Sequence, residues 1–148
     1  MHPPGETVAG FAVFFPFDDE SGALGPPRWV TAIAAEDLDV KGIAVSQVAV
    51  YLGGMLDGGL AVAGGAPEGA GSQDMFVIRL DGVTGAPRAT SRCGDADVQR
   101  LAGVAVDRED DEVFFVAELS GSIDLGGLEQ HTSRGSSDLL IGQVATPE

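Results

Sequence analysis

The chain is 148 residues long, 44% apolar, and carries a formal net charge of −15. That length fits one domain with a packed core. The charge repels phosphate backbones and anionic headgroups, so no nucleic acid is expected as a partner, and no apolar run approaches the ~20 residues of a membrane helix, so no membrane insertion is expected.

Taken in chain order, the opening MHPPGETVAG has no basic stretch followed by an apolar one, and does not read as a secretory signal. The run FAVFFPFDDESGALG, from Phe11 to Gly25, pairs an apolar strand with a turn of Asp, Ser and Gly. GPPRWVTAIA follows, with Pro27 just before the strand, where a missing N–H does least harm. AAEDLDVKGIA, residues 34–44, predicts at most one helical turn, stopped by Gly42. GIAV (Gly42 to Val45), like GVAV (Gly103 to Val106) further on, is a short apolar run of the kind found in strands covered on both faces. The Gly-rich, acidic GGAPEGAGSQD is a loop, and FVIRLD-GVTG-APRAT is a hairpin with Pro87 opening its second strand. No segment holds an apolar 3.6 period over a dozen residues, so the fold class is all-β.

The chain then repeats itself. GPPRWVTAIA (Gly25 to Ala34) matches GAPRATSRCG (Gly85 to Gly94), GIAV matches GVAV (Gly103 to Val106), VAVYLGG matches EVFFVAEL (Glu112 to Leu119), and GSQDMFVIRL (Gly71 to Leu80) matches GSSDLLIGQV (Gly135 to Val144). Phe11 to Gly25 matches Met75 to Gly85 in turn. Residues 11–26 are therefore the tail of a preceding unit, 27–86 a first repeat and 87–148 a second, in one β region over 1–148. Four strands per unit of this size suggest the blade of a β-propeller.

Trp29 in the first strand, GVAVD at Gly103 to Asp107, SGSIDLGG at Ser120 to Gly127 and GSQDMFVIRLD at Gly71 to Asp81 together resemble the β-propeller repeats, labelled SBBP repeats, of bacterial secreted and envelope proteins. The resemblance spans most of the chain. It implies about two four-stranded blades plus an extra N-terminal strand, in an extracytoplasmic setting. Two positions depart from the pattern. The turn after GVAVD is REDDE (Arg108 to Glu112), without the usual Gly, and collapses to Ser46 and Gln47 in the first unit. The counterpart of Trp29 is Ala89.

Two blades leave apolar faces open, and repeat arrays need about three units with polar caps. The chain is thus expected to belong to a longer propeller, to assemble with other copies, or to fold its outer faces on each other. Phe11 to Asp18 and Asp138 to Val144 hold the same place in the repeat, so a seamless ring would carry one strand too many. The last strand lacks its hairpin mate, an edge that invites a strand from another chain.

Candidate chemistry is sparse. Asp95 and Asp97 in CGDADVQR are spaced for a cation such as Ca²⁺, or for Asx-turns. DREDDE (Asp107 to Glu112) lacks the Gly of a calcium loop and reads as a solvated hairpin tip. Asp74 and Asp138 recur before equivalent strands, as a shared turn bond predicts, and Asp124 has Ala61 as its counterpart. Cys93 is the lone cysteine, without a disulfide or a CxxC spacing, and packs as a small apolar group. His2 and His131 have no metal-ligand spacing. Trp29, Tyr51, Phe114 and Phe115 are the expected blade-packing anchors. No catalytic residue or bound cofactor is expected.

The leading expectation is a non-enzymatic repeat scaffold for protein or ligand interaction, self-associating or joined to further blades. Two alternatives are a Ca²⁺-dependent adhesion or carbohydrate-binding module with a glycan partner, and a fragment of a propeller hydrolase or lyase. The latter would need acids, bases and cations to converge on the loops, and the few basic residues, Arg92, Arg100 and Arg134 among them, are not clustered in sequence.

Overall fold

A computed structural model describes residues 8–62, 73–94, 98–123 and 131–144. Every regular element among them is a strand. In chain order these are β1 (Val8–Phe14), β2 (Phe17–Asp18), β3 (Ala23–Leu24), β4 (Trp29–Val45), β5 (Ala49–Ala61) and β6 (Asp74–Asp81). They continue with β7 (Pro87–Cys93), β8 (Gln99–Val106), β9 (Val113–Leu119), β10 (Ser122–Ile123), β11 (His131–Thr132) and β12 (Asp138–Val144). The all-β expectation is met, and β6–β7 is the expected hairpin. The segment 34–44 is strand throughout, not a helical turn. Its local preference yields to ladder bonds, and its polar stretch is absorbed by two register irregularities, at Ala35/Asp37 and Val40/Gly42.

The first sheet has the order β1-β4-β5-β6-β7, antiparallel throughout. The 17-residue β4 serves two neighbours. Its start pairs with β1, from Phe14 opposite Trp29 to Val8 opposite Ala34, and from Ala34 onward it pairs with β5. The second sheet is the meander β12-β9-β8. Two short ribbons, β2–β3 and β10–β11, complete the described structure.

The two meanders share their register. Val45, Val50 and Leu80 lie opposite one another in β4, β5 and β6, as Val106, Val113 and Val144 do in β8, β9 and β12. Each first strand carries one extra residue at the same place, Lys41 between Val40 and Gly42, and Ala102 between Leu101 and Gly103. A bulge fixes register because slipping past it would turn every side chain to the other face. This correspondence makes Ile43 the counterpart of Val104, Tyr51 of Phe114, Gly53 of Val116, and Val77 of Ile141.

The second sheet lies on one face of the first. Backbone meets backbone where β8 crosses β4, since a Cβ on Gly42 would stand 3.2 Å from the Val104 nitrogen. Between the sheets Met55, Met75, Leu101, Phe115, Ala117, Leu119 and Ile123 form one apolar cluster. Ala44, Ala49, Tyr51, Val77 and Val113 form another. Strand β9 shows the two-residue alternation this requires, with Val113, Phe115, Ala117 and Leu119 buried and Phe114 and Glu118 exposed. The far face of the first sheet holds a third cluster, Trp29, Ile33, Val50, Leu52, Leu56, Phe76, Ile78 and Leu80 among it, partly covered by Ala12 and Phe14 of β1. Buried on both sides, β6 is apolar from Met75 to Ile78 without alternation.

Two expectations are corrected. Gly42 to Val45 is covered on one face only, with Ala44 buried while Ile43 is 63% and Val45 47% exposed, and Gly103 to Val106 likewise leaves Ala105 exposed. Ala44 meets the second sheet; among the described residues little lies over the other side. Phe114 is no packing anchor, being 39% exposed on the outer face of the second sheet.

Candidate functional site

The carboxylates give turns and internal ties. Asp81 opens the β6–β7 turn. Its Oδ1 accepts the N–H groups of Val83 and Thr84 and the Thr84 hydroxyl, and its Oδ2 accepts Arg88 at 2.8 Å. Asp18 repeats the device, accepting from Glu20 and Ser21. Gly22 and Gly85 close the two turns at φ 68° and 70°. The side-chain bond to Arg88, with the turn N–H and hydroxyl donors, holds the Asp81 carboxyl well below the usual range. That of Asp18 is lowered likewise, first by the Ser21 hydroxyl.

Asp74 and Asp138 do not share a turn bond. Asp138 accepts the Arg134 N–H at 2.9 Å. Asp74 is buried and receives both Nε and Nη2 of Arg92 on one oxygen, at 2.7 Å each. That geometry leaves Asp74 Oδ1 and Arg92 Nη1 buried without partners. A Cβ on Gly94 would collide with the Asp74 carboxylate, so only glycine lets the chain pass. The hairpin register carries the signal for this pair, because it sets Arg92 across from Phe76, two residues from Asp74 and so on the same face of the strand.

The acidic turn is not wholly solvated. Asp111 takes φ 58°, a left-handed backbone that favours glycine and that a short polar side chain such as Asp can adopt. Its Oδ2 accepts the Tyr51 hydroxyl at 2.8 Å and Arg79 Nη2 at 2.9 Å, and Arg79 Nε donates to the Tyr51 oxygen at 3.1 Å. Burial works against the Asp111 charge, but hydrogen bonds with Ser46, Tyr51 and Arg79 hold its carboxyl below the usual value. Burial and the Asp111 contact raise the Tyr51 phenol. The three side chains pin the tip of the second sheet to the first.

Asp95, Asp97 and Asp124 lie outside the described residues, as does most of the Gly-rich loop. Among the described residues no group of three or more His, Cys, Asp or Glu could hold a metal ion, and no helix is long and apolar enough to cross a membrane. Cys93 is half-buried beside the inter-sheet cluster. Burial, with the nearby Asp74 charge, pushes its thiol up, the opposite of an activated nucleophile. Arg92 is locked on Asp74, so it is not available to converge with Arg134 over a substrate.

A further cavity among the described residues is of another kind. A groove of about 680 Å³ runs over the far face of the first sheet, between β1 and the second half of β4. Phe11, Leu38, Val40, Ile43, Val45 and Val50 line it, with Arg28 its one charged residue. Trp29 closes one end, stacked on Phe14 at 5.9 Å. The groove is not legible in the sequence, because it forms only where β1 and the second half of β4, distant along the chain, come to lie side by side. A smaller polar hollow beside β12 holds His131, Arg134 and Asp138. No known family profile matches the chain, and no curated protein matches it.

Proposed function

We propose that the chain is a non-enzymatic repeat scaffold of β-propeller type, working by offering apolar sheet faces and strand edges to other sheet-forming modules. The observation that carries this reading is the groove: an apolar surface in which Ile43, Val45 and Val40 stand 63%, 47% and 46% exposed. Contiguous apolar patches of this kind mark interaction sites on soluble domains. The face-to-face stacking of two meanders in one register supports the propeller-type architecture. The described polar clusters support a scaffold too, since Asp74, Asp81 and Asp111 are each engaged in holding turns or sheets. In this reading the scaffold works outside the cytoplasm, as the resemblance to secreted and envelope repeats implies.

The test is whether the groove is open in solution. At dilute protein concentration an environment-sensitive apolar dye such as ANS should brighten on the native chain. It should lose most of that signal on Ile43→Glu, with cooperative unfolding retained. No brightening on native protein, or an undiminished signal on the variant, would remove the reading.

A further inference from the structure

Two open surfaces of this chain are the repeat counterparts of two surfaces already packed together inside it. The second sheet rests on the first through Leu101, Val104 and Phe115. Their counterparts in the first unit are Val40, Ile43 and Leu52, which line the groove. The first sheet receives it with Tyr51, Val77 and Met75. Their counterparts are Phe114, Ile141 and Leu139, which lie exposed on the outside of the second sheet, Leu139 at 72% and Ile141 at 67%.

The strand count defines what the groove lacks. Strand β6 has β5 and then β4 beyond it on the side away from β7. Its counterpart β1 pairs with β4 and, among the described residues, ends the sheet. The vacancy is therefore two strands wide, with the free edge of β1 along one side. Among the described residues β12 also ends its sheet, and with β9 it forms a two-strand surface bearing Phe114, Val116, Leu139 and Ile141. Exact repetition of the internal contact is ruled out. It would set β12 of a copy onto β1, and Val116 stands where Gly53 makes room for Val104.

We infer that the groove is a docking site for a second copy of this chain, whose β12 edge lies along β1 and whose β12–β9 outer face covers Ile43 and Val45. This rests on the scaffold reading and names its partner. Charge favours the fit: in a chain of net charge −15, the groove lining carries Arg28 and no carboxylate, whereas the opposing face carries Glu118. The interface joins unlike surfaces, so a docked pair leaves one groove and one outer face free. Such contacts grow into a ring or an open filament, not a closed dimer.

Sedimentation of the whole chain from low to high micromolar concentration tests this. The mass of the wild type should rise past two chains. Ile43→Glu, with a blocked groove, and Ile141→Glu, with a blocked outer face, should each remain monomeric while their circular dichroism matches wild type. Mixed in equal amounts, they should form a species of two chains and stop, since one supplies the intact face and the other the intact groove. Val45→Glu and Leu139→Glu form a second such pair if either first variant loses its fold. A monomeric wild type, a wild type that stops at a closed dimer, variants that still assemble, or a mixture that stays monomeric would overturn the inference. A monomer that still brightens the dye through its groove would leave the scaffold reading standing and remove the second copy alone.

Discussion

The indole of Trp29 lies against the α-carbon of Gly85, so that a Cβ there would stand 2.5 Å from Trp29 Cδ2. The same turn accepts Trp29 Nε1 at the Gly82 carbonyl and the Thr31 hydroxyl at the Gly85 carbonyl, at 3.3 and 2.6 Å. The start of β4 is thereby fastened over the β6–β7 turn. Gly85→Ala should cost about 2–4 kcal/mol, adding indole displacement to the left-handed strain at φ 70°. Gly22→Ala, in the matching turn at φ 68° but with open space around it, should cost only about 1 kcal/mol. Denaturant titration followed by the fluorescence of Trp29, the lone tryptophan, measures both; equal losses would show that the indole contact contributes nothing.

The Asp74–Arg92 pair is buried, with side chains 1% and 4% exposed. Removing one partner strands the other charge out of water. Asp74→Ala and Arg92→Met should each destabilise by about 3–5 kcal/mol, whereas Asp74→Leu combined with Arg92→Met should fall short of the sum of the single losses. A double-mutant cycle on chemical unfolding reads the coupling; additive losses would mean that the two charges do not support each other.

Much of this fold is legible in the residues, and the reason is local. The β6–β7 hairpin is announced by two extended runs around an Asp-x-x-Thr-Gly turn, whose side-chain bonds close within four residues. The matching bulges at Lys41 and Ala102 make the repeat a matter of register as well as spelling. The stacking of the sheets is not legible, because it depends on contacts such as Gly42 against Val104, some sixty residues apart. The exposure of Ile43 has the same origin: its sequence context matches that of Val104, and only the presence of a covering sheet tells them apart. Tyr51 reads in the sequence as a core aromatic and Asp111 as a tip acid, whereas nothing there singles out Arg79. The pairing of Tyr51 with Arg79 across β5 and β6, together with the stacking, brings them to one place.

Gly53 marks the seat of that stacking. A Cβ added there would run into a methyl of Val104 and stand 2.9 Å from Leu101 Cδ2. Gly53→Ala should force the sheets apart at a cost of about 1–3 kcal/mol. Gly103→Ala, also in a strand but with nothing within 4 Å of its added carbon, should be neutral or slightly stabilising. Thermal melts of the two variants separate a close inter-sheet approach from a general intolerance of alanine; a stable Gly53→Ala protein would place the second sheet elsewhere.

Asp111 makes the tie between the sheets sensitive to acid. Its carboxyl titrates below its unfolded value, so the folded chain binds the proton less readily than the unfolded chain does. The stabilisation is therefore fully present above the unfolded carboxylate pKa of ~3.9 and is lost as pH falls through the lower folded value. Asp111→Asn keeps a residue that tolerates the left-handed backbone but removes the charge that accepts from Tyr51 and Arg79. At neutral pH it should cost about 1–2 kcal/mol, the scale of a charge-assisted hydrogen bond that is partly exposed. The gap between wild type and variant should hold steady from pH 7 to about 5, then narrow as the solution is acidified toward 3. The lowered carboxyls of Asp18 and Asp81 titrate in the same region but are common to both proteins, so they cancel in the difference. Unfolding free energies across that range give the result, and a gap that stays constant down to pH 3 would show that Asp111 is not the charge that fastens Tyr51 and Arg79.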